Sequence, residues 1–226
     1  MRCVEMQVWP EYPKAAPFNL AAATATSTSG SMMIGELLPS SRETFFLGAV
    51  ALMFQPTGGD PVKVGDPADP TTDLSSLIDA GETDRVASWI DEATAAGASL
   101  VCGGTMVDGV LAPTILTGVT DDMKVSCIEV FGPVVGIATY TDFEDALDRA
   151  NASTYGLQAA VFTNDLSKAL RAAEVLEYGG VMINESPSWR ADHMPYGGIR
   201  DSGNTREGPS YTVREMTEER LIVIQA

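Results

Sequence analysis

Side chains able to do covalent or proton chemistry are sparse in this chain. Its thiols are Cys3, Cys102 and Cys127, and its single imidazole is His193. Any Cys-His or Ser-His-Asp arrangement therefore rests on one histidine. The cysteines are widely spaced, odd in number and form no Cys-x-x-Cys pair or Cys/His cluster. That argues against a disulfide framework or structural zinc and for a reducing compartment. Cys102 and Cys127 read as buried structural cysteines, and His193 as a loop side chain. The segment 128–134, IEVFGPV, is more informative. It sets an acceptor-only carboxylate, Glu129, two residues before an aromatic, Phe131, and a Gly-Pro step then turns the chain into an apolar run. Taken alone it also reads as a surface glutamate and a core phenylalanine ahead of a turn.

The elements that must position these groups follow from periodicity. Val86, Trp89, Ile90 and Ala93 recur at helical spacing within residues 79–96, with acids between them, and Gly97 stops the helix. ASLVCGG (98–104) reads as a short strand closed by glycines, followed by a strand-like LAPTIL. VVGIATY (134–140) is a strand, and Asp142 caps a helix running to about Asn151. LQAAVFT (157–163) is the next strand. Asn164 or Asp165 caps a helix expected to end at Gly179, and GVMIN (180–184) is a strand again. This β-α-β-α-β alternation predicts an α/β fold with a largely parallel sheet. The tail RLIVIQA reads as one last strand, Leu221 to Gln225. With no later strand to pair with, it must add to a distant edge or to another subunit.

Composition bounds the partners. The 226 residues carry 31 acidic and 14 basic side chains, a formal net charge of -17. Such a field repels nucleic acid and anionic lipid, so neither is an expected partner, and it fits a soluble cytoplasmic protein. The longest apolar run, FFLGAVALMF (45–54), is too short to cross a membrane. Residues 1–58 differ from the rest: they hold three basic and four acidic side chains and the low-complexity run AAATATSTSGSMM. Small polar residues bury too little apolar area to offset chain entropy, so 1–58 is expected to be a poorly ordered or unrelated extension. The turn-rich QPTGGDP marks the boundary, and 59–226 forms the regular part.

Five stretches within that part resemble, in the same order, segments of the aldehyde dehydrogenase family. They are PVKVGDPADPTTDLSSLID (61–79), IEVFGPV (128–134), YGLQAAVFTNDLSKAL (155–170), GVMINESPS (180–188) and MPYGGIRDSGNTREG (194–208). Departures occur. Ser75-Ser76 stands where Gly-Pro is usual, Arg200 where Lys is common, and Asn204-Thr205-Arg206 where a Gly-rich step precedes Glu207. The resemblance implies the C-terminal part of the catalytic domain. It implies NAD or NADP as cofactor and a small aldehyde oxidised to a carboxylate as the parent reaction. Within it, Glu129 binds the nicotinamide ribose, Phe131 flanks the ring, and Asn184 lies beside the substrate pocket. Asn151 and Glu185 add polar groups without family counterparts. The wording of 190–198, RADHMPYGG, is similar to the branch handling small hydroxy- or phospho-aldehydes.

The family's nucleophilic cysteine lies in a Gly-Gln-x-Cys stretch and its general base in a Glu-Leu-Gly-Gly stretch, both upstream of Val-Gly-Asp-Pro. Neither occurs in residues 1–61. The expectation is that no residue here is the nucleophile or the base, and that this polypeptide does not turn over aldehyde alone. The alternative is a non-catalytic module that docks on a full-length relative, or forms a homo-oligomer, through Leu221 to Gln225.

Overall fold

A computed structural model describes residues 62–225, together with the strands β1 (Ala22–Thr26) and β2 (Met32–Glu36). Helix α1 (Ala80–Ala95) forms where the apolar period predicts it. The Asp79 carboxylate accepts from the Glu82 amide at 2.8 Å and caps the first turn, and Val86, Ile90 and Ala93 are buried. The short strands β3 (Ser99–Cys102), β4 (Met106–Val107), β5 (Val110–Leu111) and β6 (Thr114–Thr117) follow. β4 and β5 form a hairpin around Asp108-Gly109, both at positive φ. Asp-Gly suits that turn because each central residue must be left-handed.

A one-turn helix α2 (Lys124–Cys127) leads into β7 (Val134–Thr139), α3 (Phe143–Asn151), β8 (Gln158–Phe162), α4 (Leu166–Val175) and β9 (Gly180–Ile183). Asp142 caps α3 through the Glu144 amide, and Asp165 caps α4 through the Ser167 and Lys168 amides. α4 ends four residues before the expected Gly179. The Asn151 side chain donates to the Val175 carbonyl at 2.9 Å and accepts from the Glu177 amide at 2.9 Å, closing the helix from outside. α5 (Pro209–Glu215) is the last regular element.

Seven strands form one sheet in the order β3-β6-β7-β1-β2-β8-β9. β6 and β7, β2 and β8, and β8 and β9 pair parallel, while β1 is antiparallel to both β2 and β7. β2, β6, β7, β8 and β9 therefore all run the same way, and only β1 and β3 oppose them. The α/β, largely parallel expectation describes this sheet. β1 and β2, from the region expected to be a poorly ordered or unrelated extension, lie between β7 and β8 in the sheet order.

Alternation of side chains across the pleat explains the apolar runs. Val134 and Ala138 of β7 join α1, Leu116 and Val125 in one core, and Ala159, Val161, Val181 and Ile183 join α3 and α4 in another. Val135, Ile137, Ala160, Phe162 and Met182 point the opposite way and are also buried. Among the described residues no helix is long and apolar enough to cross a membrane.

The tail finds no partner strand among the described residues of this chain. Residues 216–225 form no strand, and Leu221, Ile222, Val223 and Ile224 are 72–88% exposed. An apolar extended segment becomes a strand only when a neighbour supplies the ladder, and no described strand of this chain does so.

Candidate functional site

The loop between α2 and β7 carries Glu129 and Phe131 and is firmly held. Ile128 donates to the Lys124 carbonyl at 3.1 Å, Val130 is buried in the first core, and the Pro133 carbonyl accepts from Thr114 at 2.8 Å. Val134 donates back to Gly132 at 2.8 Å, making the turn that Gly-Pro predicts. Gly132 lies against α1: a Cβ there would meet Val86 Cγ2 at 3.0 Å and Cγ1 at 3.1 Å. Arg85 of α1 donates to the Val130 carbonyl at 2.8 Å.

What this loop presents is a half-buried carboxylate next to an exposed ring. Burial pushes the Glu129 carboxyl above its ordinary value. No hydrogen bond from a described residue compensates it, which leaves both oxygens available to an incoming donor pair. Phe131 is 65% exposed with φ of 47°, a left-handed conformation unusual for an aromatic residue. An unsatisfied carboxylate beside an outward aromatic fits a vicinal diol joined to a flat ring, the ribose and nicotinamide of NAD or NADP. The fit extends to that end of the nucleotide.

Asn184 stands apart from this pair. It follows β9, whereas the loop precedes β7, and the two strands run parallel. They therefore sit at opposite ends of strands about 15–20 Å long. The Asn184 Oδ1 accepts from the Thr163 amide at 2.9 Å, and its Nδ2 donates to the Thr163 carbonyl at 3.0 Å. The side chain ties the end of β8 to the end of β9, aided by φ of 59°, which asparagine tolerates. Asn151 is likewise occupied at the end of α4, and Glu185 accepts from the Ser186 amide at 2.7 Å.

The cysteines also differ from expectation. Cys102 and Cys127 are exposed rather than buried. Cys102 ends β3, an edge strand with all four residues exposed, and Cys127 ends the single turn of α2. His193 is an exposed loop residue, as expected. Although the residue is exposed as a whole, partial desolvation of its sulfur raises the Cys102 thiol, the opposite of what an activated nucleophile requires.

Sequence reasoning missed two features. Arg85 reads in sequence as an ordinary surface residue of a helix, and only its contact with Val130 shows otherwise. An open cleft of about 600 Å³ lies after β9, lined by Arg190, Asp192, Glu207, Thr212, Val213 and Met216 among others. Its Arg190 stacks over Tyr196 at 4.6 Å and pairs with Glu207 at 2.8 Å. None of its lining residues belongs to the Glu129 loop.

The largely parallel sheet with its connecting helices, and the Glu-x-Phe-Gly-Pro loop ahead of β7, place the chain in a class of α/β domains. The chain belongs to the aldehyde dehydrogenase family, whose model matches residues 59–222. It is 49% identical over 161 residues to a 3-sulfolactaldehyde dehydrogenase of Priestia aryabhattai, covering 71% of this chain and 34% of that protein. It is 45% identical over 163 residues to a lactaldehyde dehydrogenase of Methanococcus aeolicus, covering 72% and 35%. Among solved structures it is similar to a glyceraldehyde-3-phosphate dehydrogenase from Methanocaldococcus jannaschii complexed with NADP. There the TM-score is 0.69 and the identity 36%, over 83% of this chain and 39% of that one. The chain thus spans about a third of the length of these relatives, and β1 and β2 lie outside the family match.

Proposed function

We propose that these residues serve NAD(P)-dependent oxidation of a small 2-hydroxyaldehyde to its carboxylate, and that they supply the nicotinamide-proximal support rather than the nucleophile. The observation that carries this reading is the half-buried carboxylate of Glu129, without a hydrogen-bond partner among the described residues, beside the exposed ring of Phe131. Glu129 would accept hydrogen bonds from both ribose hydroxyls and Phe131 would shield one side of the ring, whose chemistry when bound is to accept hydride. The 2-hydroxyaldehyde class is supported by lactaldehyde and 3-sulfolactaldehyde, the substrates in the relatives' names. Asn184 enters this reading only as the residue that ties the end of β9 to β8, at the far end of the strands from Glu129, and not as a free hydrogen-bonding arm.

Glu129→Gln separates this role from a structural one. NAD+ and NADP+ titrated into the labelled chain are expected to shift the Glu129 and Phe131 amides, and the shifts should vanish in Glu129→Gln. Shifts confined to other residues would sink the assignment. With small hydroxyaldehydes added, the 226-residue chain is expected to leave the nucleotide oxidised. Turnover that disappears in Cys127→Ala would overturn that expectation.

The exposed run Leu221 to Ile224 favours a second reading, docking by strand addition on another copy or on a full-length relative. Light scattering after size exclusion tests it: a strictly monomeric, folded chain removes its support.

A further inference from the structure

Residues of one face of α1 hold the Glu129 loop and the core beneath it. Val86 receives Gly132, Trp89 packs against the first core, and Arg85 reaches the loop backbone. Arg85 is itself fixed before it gets there. Its Nε and Nη2 donate to Glu82 Oε2 at 2.9 and 2.6 Å, and its guanidinium lies 4.4 Å from the centroid of the Trp89 ring. The same Nη2 donates to the carbonyl of Val130, the residue between Glu129 and Phe131. That carbonyl belongs to the peptide unit joining Val130 to Phe131, and Phe131 has φ of 47°. A left-handed aromatic residue is strained and persists only where its surroundings over-determine it.

We propose that Arg85 is the positioning residue of this loop: by holding the Val130 carbonyl it sets the directions in which the Glu129 carboxylate and the Phe131 ring project. The inference rests on the reading of Glu129 as the ribose acceptor. It adds that the acceptor's aim is set from α1, through one hydrogen bond to the backbone. A guanidinium suits the task because its planar fork serves Glu82, the Trp89 face and a carbonyl together, which a single ammonium does not.

Arg85→Met keeps the aliphatic stem over Trp89 and removes every donor. The test follows the Glu129 carboxyl carbon by NMR through a pH titration of the free chain, alongside hydrogen exchange at the Val134 amide, which donates to Gly132 in the same loop. In the native chain burial raises the Glu129 carboxyl above its ordinary value. In Arg85→Met the released loop carries Glu129 into water. Its midpoint is then expected to fall toward the ordinary value, with exchange at Val134 faster by about ten-fold. Losing a nearby positive charge without loop release moves the midpoint the other way. A rise or an unchanged midpoint therefore overturns the proposal. Arg85→Lys keeps the charge, and its midpoint and exchange should lie between the two. If Arg85→Met fails to fold, a lysine variant identical to the native chain overturns the proposal equally. NAD+ titrated into the native chain and Glu129→Gln tests the ribose reading on its own. A midpoint that falls in Arg85→Met, with no nucleotide effect at Glu129, upholds the positioning and removes the ribose role.

Discussion

Removing the Asn184 side chain should cost more than a polar group at the edge of a pocket would. Its amide makes two hydrogen bonds to the backbone of Thr163, at 2.9 and 3.0 Å, and Thr163 is 6% exposed. At about 1 kcal/mol each, losing both costs about 2 kcal/mol. Asn184→Gly keeps the left-handed backbone easy and adds about 0.5 kcal/mol of chain entropy, for about 2.5 kcal/mol in all. Asn184→Ala loses the same bonds and adds the 1–2 kcal/mol of a left-handed Cβ, for about 3–4 kcal/mol. Asn184→Asp keeps the acceptor for the Thr163 amide but turns a carboxylate toward the Thr163 carbonyl, and should fall between glycine and alanine. Urea unfolding followed by far-ultraviolet circular dichroism gives each value, compared at a common slope. A domain's whole stability is about 5–15 kcal/mol, so these losses are large. If glycine and alanine variants both stay within about 0.5 kcal/mol of the native chain, the amide does not hold β8 to β9. Alanine milder than glycine would refute the backbone part of the reasoning.

Other substitutions test other joints. A Cβ at Gly179 would lie 1.7 Å from the Gly197 carbonyl oxygen and 3.1 Å from Gly198 Cα, both backbone, so Gly179→Ala must part the two segments. It should lower stability by about 3 kcal/mol, the upper end of the range for overpacking, in a thermal melt. Tyr178 donates to the Ala150 carbonyl at 2.8 Å, and burial pushes its phenol up to about 12. A spectrophotometric titration should show one late phenol, absent in Tyr178→Phe, and the substitution should cost about 1 kcal/mol at neutral pH. Because the folded value is raised, the native Tyr178 contribution is complete below the ordinary 10.0 and lost as pH climbs toward 12. Glu144 behaves oppositely: its hydrogen bonds from Arg171 hold its carboxyl below 4.5, so their contribution is present above that value and lost as pH falls. The stability gap between native chain and Arg171→Met should be flat near neutrality and close in acid.

Much of the fold was legible because local signals agree with one another. Asp79, Asp142 and Asp165 each precede an amphipathic run, and each caps the helix expected there. The apolar runs of β7 and β8 read as two-sided strands because both their faces are buried. What escaped depends on partners distant in sequence. α4 stops early because Asn151, 24 residues before Val175, captures that residue's carbonyl. β1 and β2 are built partly of Ala, Thr and Gly, which carry no apolar period, and strand formation there depends on neighbours on both sides. In the candidate site, Glu129 and Phe131 could be picked out from Glu-x-Phe-Gly-Pro. The role of Arg85 could not, since nothing in a helical repeat says which backbone carbonyl a guanidinium will meet. Asn184 was visible as a polar residue ending a strand, but its commitment to Thr163 was not.

The position of β1 and β2 bears on how this chain behaves in a test tube. Within the sheet no ladder joins β7 directly to β8: every hydrogen-bonded path between β3-β6-β7 and β8-β9 passes through that hairpin. A chain that loses it, by proteolysis or by expression from residue 59 onward, would carry two facing rows of bare amides and carbonyls. Open rows of that kind recruit other chains. Solubility and concentration-dependent clumping would then be governed by ten residues that lie outside the family match.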